Sequence, residues 1–230
     1  MKKGDLKKQE IMKTAETRFC RDGYEKTSIQ DILDELHTSK GSFYHHFISK
    51  EALLTEICKN RAESTSESVF NTLKTDMNPE EKLNTLICGM IPFEGEKLNF
   101  LMMLIPVFAG TEGITIRTCY AEELEKMYLG YFTETIRQGT EEGVFACADA
   151  AFSAMILTLI INKFWLAICD IILENETNEE ITDPADLIKI TENYRTSVER
   201  LLSAAYGSIL LIRLPELKAL TESIHLHWKK

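Results

Sequence analysis

The sequence is poor in helix-breaking residues and in the motifs that mark enzymes. Its 230 residues include only 5 prolines, and its 6 cysteines form no C-x-x-C pair. It contains no G-x-G-x-x-G, G-x-S-x-G or H-E-x-x-H motif and no phosphate-binding loop, so we expect neither an enzyme nor a bound cofactor. Unpaired thiols, together with a charged rather than apolar N-terminal segment, predict a cytoplasmic protein.

Long apolar runs are also scarce. The longest, residues 150–162, spans 13 positions between Asp149 and Lys163, whereas a membrane-spanning helix needs roughly 20. A core of ordinary size is nevertheless available, because 44% of the residues are hydrophobic and 27% are charged. We therefore expect a folded, soluble protein.

Basic residues are fewer than expected for a nucleic-acid-binding protein, and they are unevenly distributed along the chain. The whole chain has 26 Lys and Arg against 36 Asp and Glu, a formal net charge of −10. Residues 1–61 hold 12 basic and 10 acidic side chains, which leaves 14 basic and 26 acidic ones in residues 62–230. This asymmetry indicates two parts with different partners, of which the N-terminal part is better suited to an anion.

The apolar periodicity is helical along the chain, and no segment alternates convincingly as a strand does. We predict an all-α fold with an N-terminal three-helix domain at residues 1–50, joined by a long helix to a larger helical domain at residues 51–230. Ten helices are predicted, at about residues 7–21, 29–36, 40–46, 50–75, 79–91, 96–109, 114–139, 148–174, 185–212 and 215–228.

The third of these helices is unusual because it offers little to stabilise a fold. Phe43 and Phe47 lie four residues apart and are expected to face inward, while the remaining positions are small, polar or cationic. A short helix of this kind suits the major groove of DNA, where base edges present donors, acceptors and thymine methyl groups. Two short helices joined by a tight turn are typical of a helix-turn-helix, whose second helix reads the groove.

The same residues carry a family resemblance. Residues 27–36 (TSIQDILDEL), followed by residues 39–47 (SKGSFYHHF) and 49–53 (SKEAL), resemble the DNA-binding domain of the TetR family of bacterial transcriptional regulators. The similarity covers about residues 7–57. It implies a homodimeric, helix-turn-helix regulator, most often a repressor that binds a palindromic operator and is released by a small ligand.

The resemblance also implies individual DNA contacts. Lys40, Ser42 and His45 match positions that face bases, and Gly41 matches the position of closest approach. Where the family usually has Gly-Val in the turn, this chain has His37 and Thr38. We therefore expect His37 to adopt the left-handed conformation, at a cost of roughly 1 kcal/mol relative to glycine.

Further implied contacts are directed to the sugar–phosphate backbone. Tyr44 matches a phosphate-contacting tyrosine, and Lys50 matches a lysine that acts with the N-terminus of the fourth helix on a phosphate. Thr27 and Ser28 match backbone-contacting positions, and Ser39, the expected cap of the third helix, belongs to the same DNA-binding set.

The C-terminal domain offers a surface for pairing two copies of the chain. The predicted helix 148–174 is apolar nearly all round, and helix 185–212 is its expected mate. Two such helices from each subunit would form a four-helix homodimer interface, the arrangement that the resemblance implies. The alternative is that both are ordinary core helices of one chain.

A stretch rich in Met and aromatic residues lies between these parts. Such residues line cavities for apolar or amphipathic ligands, although they are also the default filling of a helical core. The candidate effector-binding residues are Phe100, Met103, Cys119, Met127, Tyr131 and Asn162. The acidic charge of this domain favours a neutral or cationic effector. The alternative is a C-terminal domain that binds a protein partner rather than a small molecule. No metal site is predicted.

Overall fold

The computed structural model describes residues 3–93, 95–110, 113–177, 183–213 and 220. Over these residues it contains nine helices and no strand, in agreement with the predicted all-α class. The helices are α1 Lys3–Asp22, α2 Ile29–Glu35, α3 Lys40–Tyr44, α4 Lys50–Phe70, α5 Pro79–Met90, α6 Gly95–Phe108, α7 Gly113–Glu141, α8 Ala150–Thr177 and α9 Pro184–Leu202.

Side-chain caps set the starts of the short helices in the N-terminal domain. Ser28 begins α2 with a capping box, in which its hydroxyl accepts from the Asp31 amide while the Asp31 carboxylate accepts from the Ser28 amide. Ser39 and Ser49 cap α3 and α4 through their own hydroxyls. Each cap satisfies an amide that would otherwise lack a partner, typically contributing about 1 kcal/mol.

The N-terminal domain has a small buried core that continues into the rest of the protein. Ile11, Phe19, Ile32 and Phe43 are fully buried, and they belong to one cluster with residues of α4 such as Leu53. The two predicted domains therefore meet through α4 rather than through an exposed linker.

Ion pairs also join the N-terminal domain to the rest of the protein. Arg61 of α4 pairs with Glu16 of α1 and, at 3.1 Å, with Glu96 of α6. Lys8 of α1 pairs with Glu56 of α4. These contacts tie the N-terminal domain to both α4 and α6.

Helix α7 is the central element of the C-terminal domain, since it packs against α4, α5, α6 and α8. Aromatic side chains fill the space between these helices. Tyr120 of α7 makes edge-to-face contacts with Phe100 of α6 and with Trp165 of α8, and α9 then packs on the outer side of α8.

The predicted helix 185–212 ends ten residues early. Ser203 adopts a left-handed conformation with φ 50° and terminates α9 at Leu202. The chain then folds back over α5, where Asn84 donates to the Ser208 carbonyl at 2.8 Å and accepts from the Leu210 amide at 2.8 Å. The predicted helix 215–228 lies outside the described residues, apart from buried Leu220.

The apolar part of helix α8 is longer than the uninterrupted run of 13 residues in the sequence indicated. Residues 150–175 are long and apolar enough to cross a membrane by length and composition alone, and half of the most apolar window is buried inside the protein. Its buried side includes Phe164 and Trp165, both fully enclosed. We interpret α8 as a core helix with one uncovered apolar side.

Candidate nucleic-acid interface

Helix α3 presents a polar side to solvent because its aromatic side is buried. Phe43 and Phe47 are 0% and 4% exposed and point into the domain. Lys40, Gly41 and His45 are exposed on the other side. The exposed face therefore carries an ammonium, a backbone without a side chain and an imidazole, all able to approach base edges.

Tyr44 completes this face. It is 55% exposed, and its ring meets the buried Phe43 ring edge to face at 5.3 Å. One edge of the phenol is thus fixed by packing while its hydroxyl remains in solvent, an arrangement that suits a phosphate contact. Ser42 is half-buried, and its amide donates to the Ser39 hydroxyl at 3.3 Å.

The turn between α2 and α3 contains the left-handed residue that the sequence predicted. His37 adopts φ 48°, which confirms the left-handed conformation expected where the family usually has glycine. The His37 amide donates to the Asp34 carbonyl at 3.2 Å, and the Thr38 amide donates to the Leu33 carbonyl at 3.0 Å. These two bonds hold α3 at its angle to α2 in spite of the unfavourable φ.

Lys50 is directed into the protein rather than outward. Its ammonium donates to the carbonyls of Tyr24 at 3.0 Å and Thr27 at 3.2 Å, and it lies 4.1 Å from the centre of the Tyr24 ring. These contacts join the start of α4 to the loop before α2. Lys50 therefore fixes the start of α4 relative to the loop that leads into α2.

Thr27 and Ser28 have different environments. Thr27 is 1% exposed, and its hydroxyl donates to the Gly23 carbonyl at 2.8 Å. A phosphate contact through that side chain does not fit this burial, because the hydroxyl is already committed within the loop. Ser28 is exposed at the start of α2, where the backbone amides and the helix dipole favour an anion.

Two further residues lie beside this face and were missed by the sequence analysis. Ile48 is 86% exposed, four residues after Tyr44 and beyond the end of α3, and Lys26 is exposed just before Thr27. Helical spacing gives no signal for Ile48, because it does not belong to α3. The exposed surface next to the motif thus includes an apolar side chain and a cation that the motif alone did not identify.

The adjacent His45 and His46 differ in environment. Their rings meet edge to face at 4.8 Å. Burial, followed by the positive charges of His45 and Lys8, lowers the pKa of His46 below its ordinary value. These surroundings favour the neutral imidazole of the half-buried His46 over its charged form.

The six predicted effector-binding residues differ in their burial. Phe100 and Met103 are buried, and Tyr131 is 43% exposed and stacks on Phe70 with ring centres 3.7 Å apart. Cys119 and Met127 are half-buried positions on α7.

Asn162 has a structural role in this arrangement. Its amide donates to the Ala121 carbonyl at 3.2 Å, and its oxygen accepts from the Trp165 indole at 3.1 Å. The amide nitrogen therefore joins α8 to α7, while the oxygen is used within α8.

Two surface cavities are formed by described residues that include none of those six. One, of about 430 Å³, lies between α8 and α9 beside Glu174 and Asp186. The other, of about 300 Å³, is the α4–α5 cleft, which is lined by residues of both helices together with Lys97 of α6 and Arg213. No cluster of metal-binding side chains occurs in the part of the chain that the structure describes.

Large apolar side chains are exposed on one side of α8 and α9. We call this the α8–α9 face, formed by Phe152, Met155, Leu159 and Ile188, which are 60%, 37%, 47% and 50% exposed. The three α8 residues are spaced three and four positions apart and so form one stripe. A stripe of this kind marks a surface for another macromolecule.

The thiols give no sign of an activated cysteine. Burial raises the pKa of the Cys58, Cys119 and Cys169 thiols. Arg117, the basic neighbour of Cys119 in sequence, instead pairs with Asp170 at 2.7 Å. Activated thiols have lowered pKa values, so these three do not fit a redox sensor.

Comparison with known proteins shows which proteins this chain is similar to. Residues 11–57 match the family model for bacterial regulatory proteins of the tetR family. Over 144 residues the chain is 29% identical to the HTH-type transcriptional regulator YerO of Bacillus subtilis, a match that covers 60% of this chain and 50% of YerO. Over 137 residues it is 28% identical to the HTH-type transcriptional repressor KstR2 of Mycobacterium tuberculosis, covering 59% of this chain and 68% of KstR2.

Solved structures show the same fold. A transcriptional regulator from Saccharomonospora viridis, in complex with choline, is 26% identical with a TM-score of 0.51, over 69% of this chain and 83% of that protein. A TetR-family regulator from Mesorhizobium loti is 21% identical with a TM-score of 0.58, over 88% of this chain and 98% of that protein.

Proposed function

The chain is a TetR-type protein through its N-terminal domain, residues 11–57, and we therefore propose that it is a transcriptional repressor that binds operator DNA as a homodimer. The exposed face of α3 is the observation that carries this proposal. The bases would be read by Lys40, Ser42 and His45, with Gly41 allowing close approach.

Phosphates would be held at the margins of that face. Tyr44 offers its exposed hydroxyl, while Ser39 and Ser28 stand at the starts of α3 and α2. Lys50 acts by positioning the start of α4, through its bonds to Tyr24 and Thr27. In this proposal the N-terminal domain, residues 1–50, is the DNA-binding unit, and residues 51–230 provide pairing and control.

Pairing through the α8–α9 face is supported by its exposed apolar side chains. A second copy related by twofold symmetry would cover Phe152, Met155 and Leu159 and would bring two α3 helices to one side of the dimer. Two reading helices related in this way bind half-sites that mirror each other, which is the basis of a palindromic operator.

Release by a small molecule completes the proposal. The S. viridis regulator, which shares the fold, was solved with choline bound, so a protein built this way can hold a small ligand. We expect an effector to act on the C-terminal domain and to reach DNA through α4, which packs against α1, α5 and α7.

A C-terminal domain that binds a protein partner is the second candidate. It is favoured by the uncovered α8–α9 face and by the burial of Phe100 and Met103 in the core. The relatives are named as transcriptional regulators, which supports a non-enzymatic role under either candidate. A DNA-binding regulator of this kind would act in the cytoplasm.

Selection of DNA from a random library tests the proposed function. The full chain is incubated with random duplexes, the bound fraction is amplified over several rounds, and the products are sequenced. We expect inverted repeats with half-site centres about one helical turn, roughly 34–36 Å, or a multiple of it apart. The double variant Lys40→Ala/Tyr44→Ala, changed only at exposed positions, is the control and should enrich nothing. Failure of the unmodified chain to enrich any sequence would overturn the proposal.

A further inference from the structure

Arg61 of α4 contacts both α1 and α6 at the junction between the two domains. Its guanidinium pairs with Glu16 of α1 and, at 3.1 Å, with Glu96 of α6. The guanidinium carbon also lies 5.7 Å from the centre of the Phe100 ring of α6. A guanidinium can make these contacts together, because it is planar, has five N–H donors in a fixed geometry and stacks on aromatic rings. Arg61 therefore joins α1 to α6 across α4.

Three aromatic side chains extend this junction into the protein. Phe100 meets the Tyr120 ring of α7 edge to face at 6.2 Å, and Tyr120 meets the Trp165 ring of α8 edge to face at 5.9 Å. All three side chains are at most 2% exposed. Edge-to-face contact is a favourable arrangement of buried rings, so each ring fixes the position of its neighbour. We call Arg61 and these three rings the cross-domain row.

The cross-domain row ends on the helix that carries the α8–α9 face. Trp165 is fully buried, whereas Leu159 of the same helix is 47% exposed in the apolar stripe. The Trp165 indole donates to the Asn162 oxygen at 3.1 Å, and the Asn162 amide donates to the Ala121 carbonyl of α7 at 3.2 Å. The last ring is thus held by a hydrogen bond as well as by packing. The row connects α1 with the inner side of the proposed pairing helix.

The second ion pair at the junction lies closer to the start of α4. Lys8 of α1 pairs with Glu56 of α4 and lies 5.9 Å from the centre of the Phe47 ring. A domain attached through one helix can tilt about it, whereas attachment at a second helix fixes its direction. That second attachment exists because α1 also packs against α6, where Arg61 binds a carboxylate of each helix. Close-packed rings then transmit the position of α6 to α8.

We propose that the cross-domain row sets the separation and orientation of the two α3 helices in the dimer, with Arg61 as its positioning residue. In a dimer paired through the α8–α9 face, the placement of α3 relative to α8 decides which half-site spacing fits. One added base pair moves a half-site by about 3.4 Å and rotates it by about 35°. The spacing preference rests on the proposed function, whereas the connection between α1 and α8 does not.

Binding to three duplexes tests the role of Arg61. One is the duplex selected by the unmodified chain, and the others have one base pair added or removed at its centre. By fluorescence anisotropy at constant salt, the unmodified chain should bind the altered duplexes at least about tenfold more weakly. Arg61→Met keeps a long side chain but loses both ion pairs, and the same alterations should weaken its binding by less than about threefold. An unchanged spacing preference in Arg61→Met would overturn the proposal.

Arg137→Met is the matched control. Arg137 of α7 pairs with Glu134 and Glu141 of its own helix, so its loss should leave the spacing preference intact. Urea denaturation shows whether each variant is folded, and a variant of Arg61 with lower stability but a full spacing preference would limit this residue to a structural role. Should Arg61→Met fail to fold, Arg61→Lys decides, because it keeps the charge but not the planar fork. A full preference in that variant then contradicts the proposal.

Tyr120 tests the aromatic part of the cross-domain row at a position that does not belong to the junction with α1. Tyr120→Leu removes the ring that joins α6 to α8, whereas Tyr120→Phe keeps it. We expect Tyr120→Leu to relax the spacing preference and Tyr120→Phe to retain it. A row of contacts carries coupling only if its ends respond when its middle is changed. Equal preference in the two variants would overturn the assignment of the row.

Hydrogen exchange of the full chain without DNA separates this inference from the proposed function. Relative to α9, which reports general loss of stability, the amides of α1 should exchange at least about threefold faster in Arg61→Met and Tyr120→Leu. Arg137→Met and Tyr120→Phe should show no such change. Equal acceleration in α1 and α9 would contradict the connection.

The two failures are therefore distinct. If no duplex is bound but α1 responds in this way, the proposed function fails and the connection between α1 and α8 stands. If the selected duplex is bound but neither α1 nor the spacing preference responds, this inference fails and the proposed function stands.

Discussion

Two residues of this protein adopt a backbone conformation that is unfavourable for their side chains. His37 and Ser203 are the non-glycine residues with positive φ among those described, at 48° and 50°. His37 lies in the turn between α2 and α3, and Ser203 ends α9. At both positions a left-handed backbone is needed to redirect the chain, and the surrounding hydrogen bonds impose it on an unfavourable residue.

Glycine at either position should therefore increase stability. We expect His37→Gly and Ser203→Gly each to raise the free energy of unfolding by about 0.5–1 kcal/mol, because glycine adopts positive φ without a steric penalty. Urea denaturation of the full chain measures this change. Thr38→Gly is the control beside His37, and it should lower stability because glycine there only adds freedom to the unfolded chain. A loss of stability in both His37→Gly and Ser203→Gly would contradict the interpretation.

Lys40 and Lys50 differ in role although both are lysines of the same motif. Lys40→Ala should leave stability within about 0.5 kcal/mol, since its side chain is exposed, and should relax the preference for one base pair. Lys50→Ala should lower stability by about 1–2 kcal/mol, because an ammonium bound to two carbonyls is lost. It should also weaken binding to all duplexes alike.

Denaturation and anisotropy titrations on matched and mismatched duplexes separate these effects. Equal stability in the two variants would show that the contacts of Lys50 with Tyr24 and Thr27 do not position α4.

At the level of elements, the helix-turn-helix was predictable because its determinants are local. Apolar spacing, the caps at Ser28 and Ser39 and the aromatic pair of α3 all lie within 20 residues. The end of α9 was not predictable in this way. Residues 203–212 continue a helical apolar pattern, but Asn84, more than 120 residues away, binds the backbone at Ser208 and Leu210. A partner so distant in sequence leaves no local signal.

The six candidate effector-binding residues stay a prediction, because their sequence signal does not distinguish a cavity from a core. Large apolar side chains such as Phe100 and Met103 fill a helical core whether or not a cavity is present. The α4–α5 cleft, in contrast, is formed by hydroxyls and cations from α4, α5, α6 and the segment after α9. Polar residues dispersed over four segments resemble solvent-exposed surface until the fold brings them together.

Two glycines of α7 give a matched test of how closely the segment after α7 packs on that helix. A Cβ at Gly139 would come within 2.2 Å of the Phe145 ring, whereas a Cβ at Gly130 would meet nothing within 4 Å. Gly139→Ala should destabilise the protein by about 1–3 kcal/mol through overpacking. Gly130→Ala should stabilise it by about 0.5–1 kcal/mol, because alanine is the better helix former. Thermal unfolding of both variants measures the difference, and shifts of the same sign would contradict the packing described for α7.

On the scale of the whole molecule, charge and apolar surface are separated. Residues 1–61 have a small net positive charge and include the exposed face of α3, while the acidic C-terminal domain carries the α8–α9 face. An acidic body repels DNA away from the reading helices, so non-specific affinity should be modest and binding should fall steeply with salt.

Dimer formation should depend on the α8–α9 face. Leu159→Asp places a charge at the centre of the apolar stripe, and we expect it to convert a dimer into a monomer by the cost of burying an unpaired carboxylate. Light scattering after size exclusion measures the mass directly. Val144→Asp, a similarly exposed apolar position outside the stripe, is the control and should remain dimeric. A dimer that persists in Leu159→Asp would place the pairing surface elsewhere.

Binding of one selected duplex in two forms tests the central claim most directly. One form has both half-sites intact, and the other has one half-site scrambled at equal length and charge. For the full chain in 150 mM salt, a dimer that reads DNA with two α3 helices should bind the intact duplex at least about 100-fold more tightly. The Leu159→Asp chain should bind both forms weakly and equally. Equal affinity of the unmodified chain for the two duplexes, or no binding to either, would contradict the account.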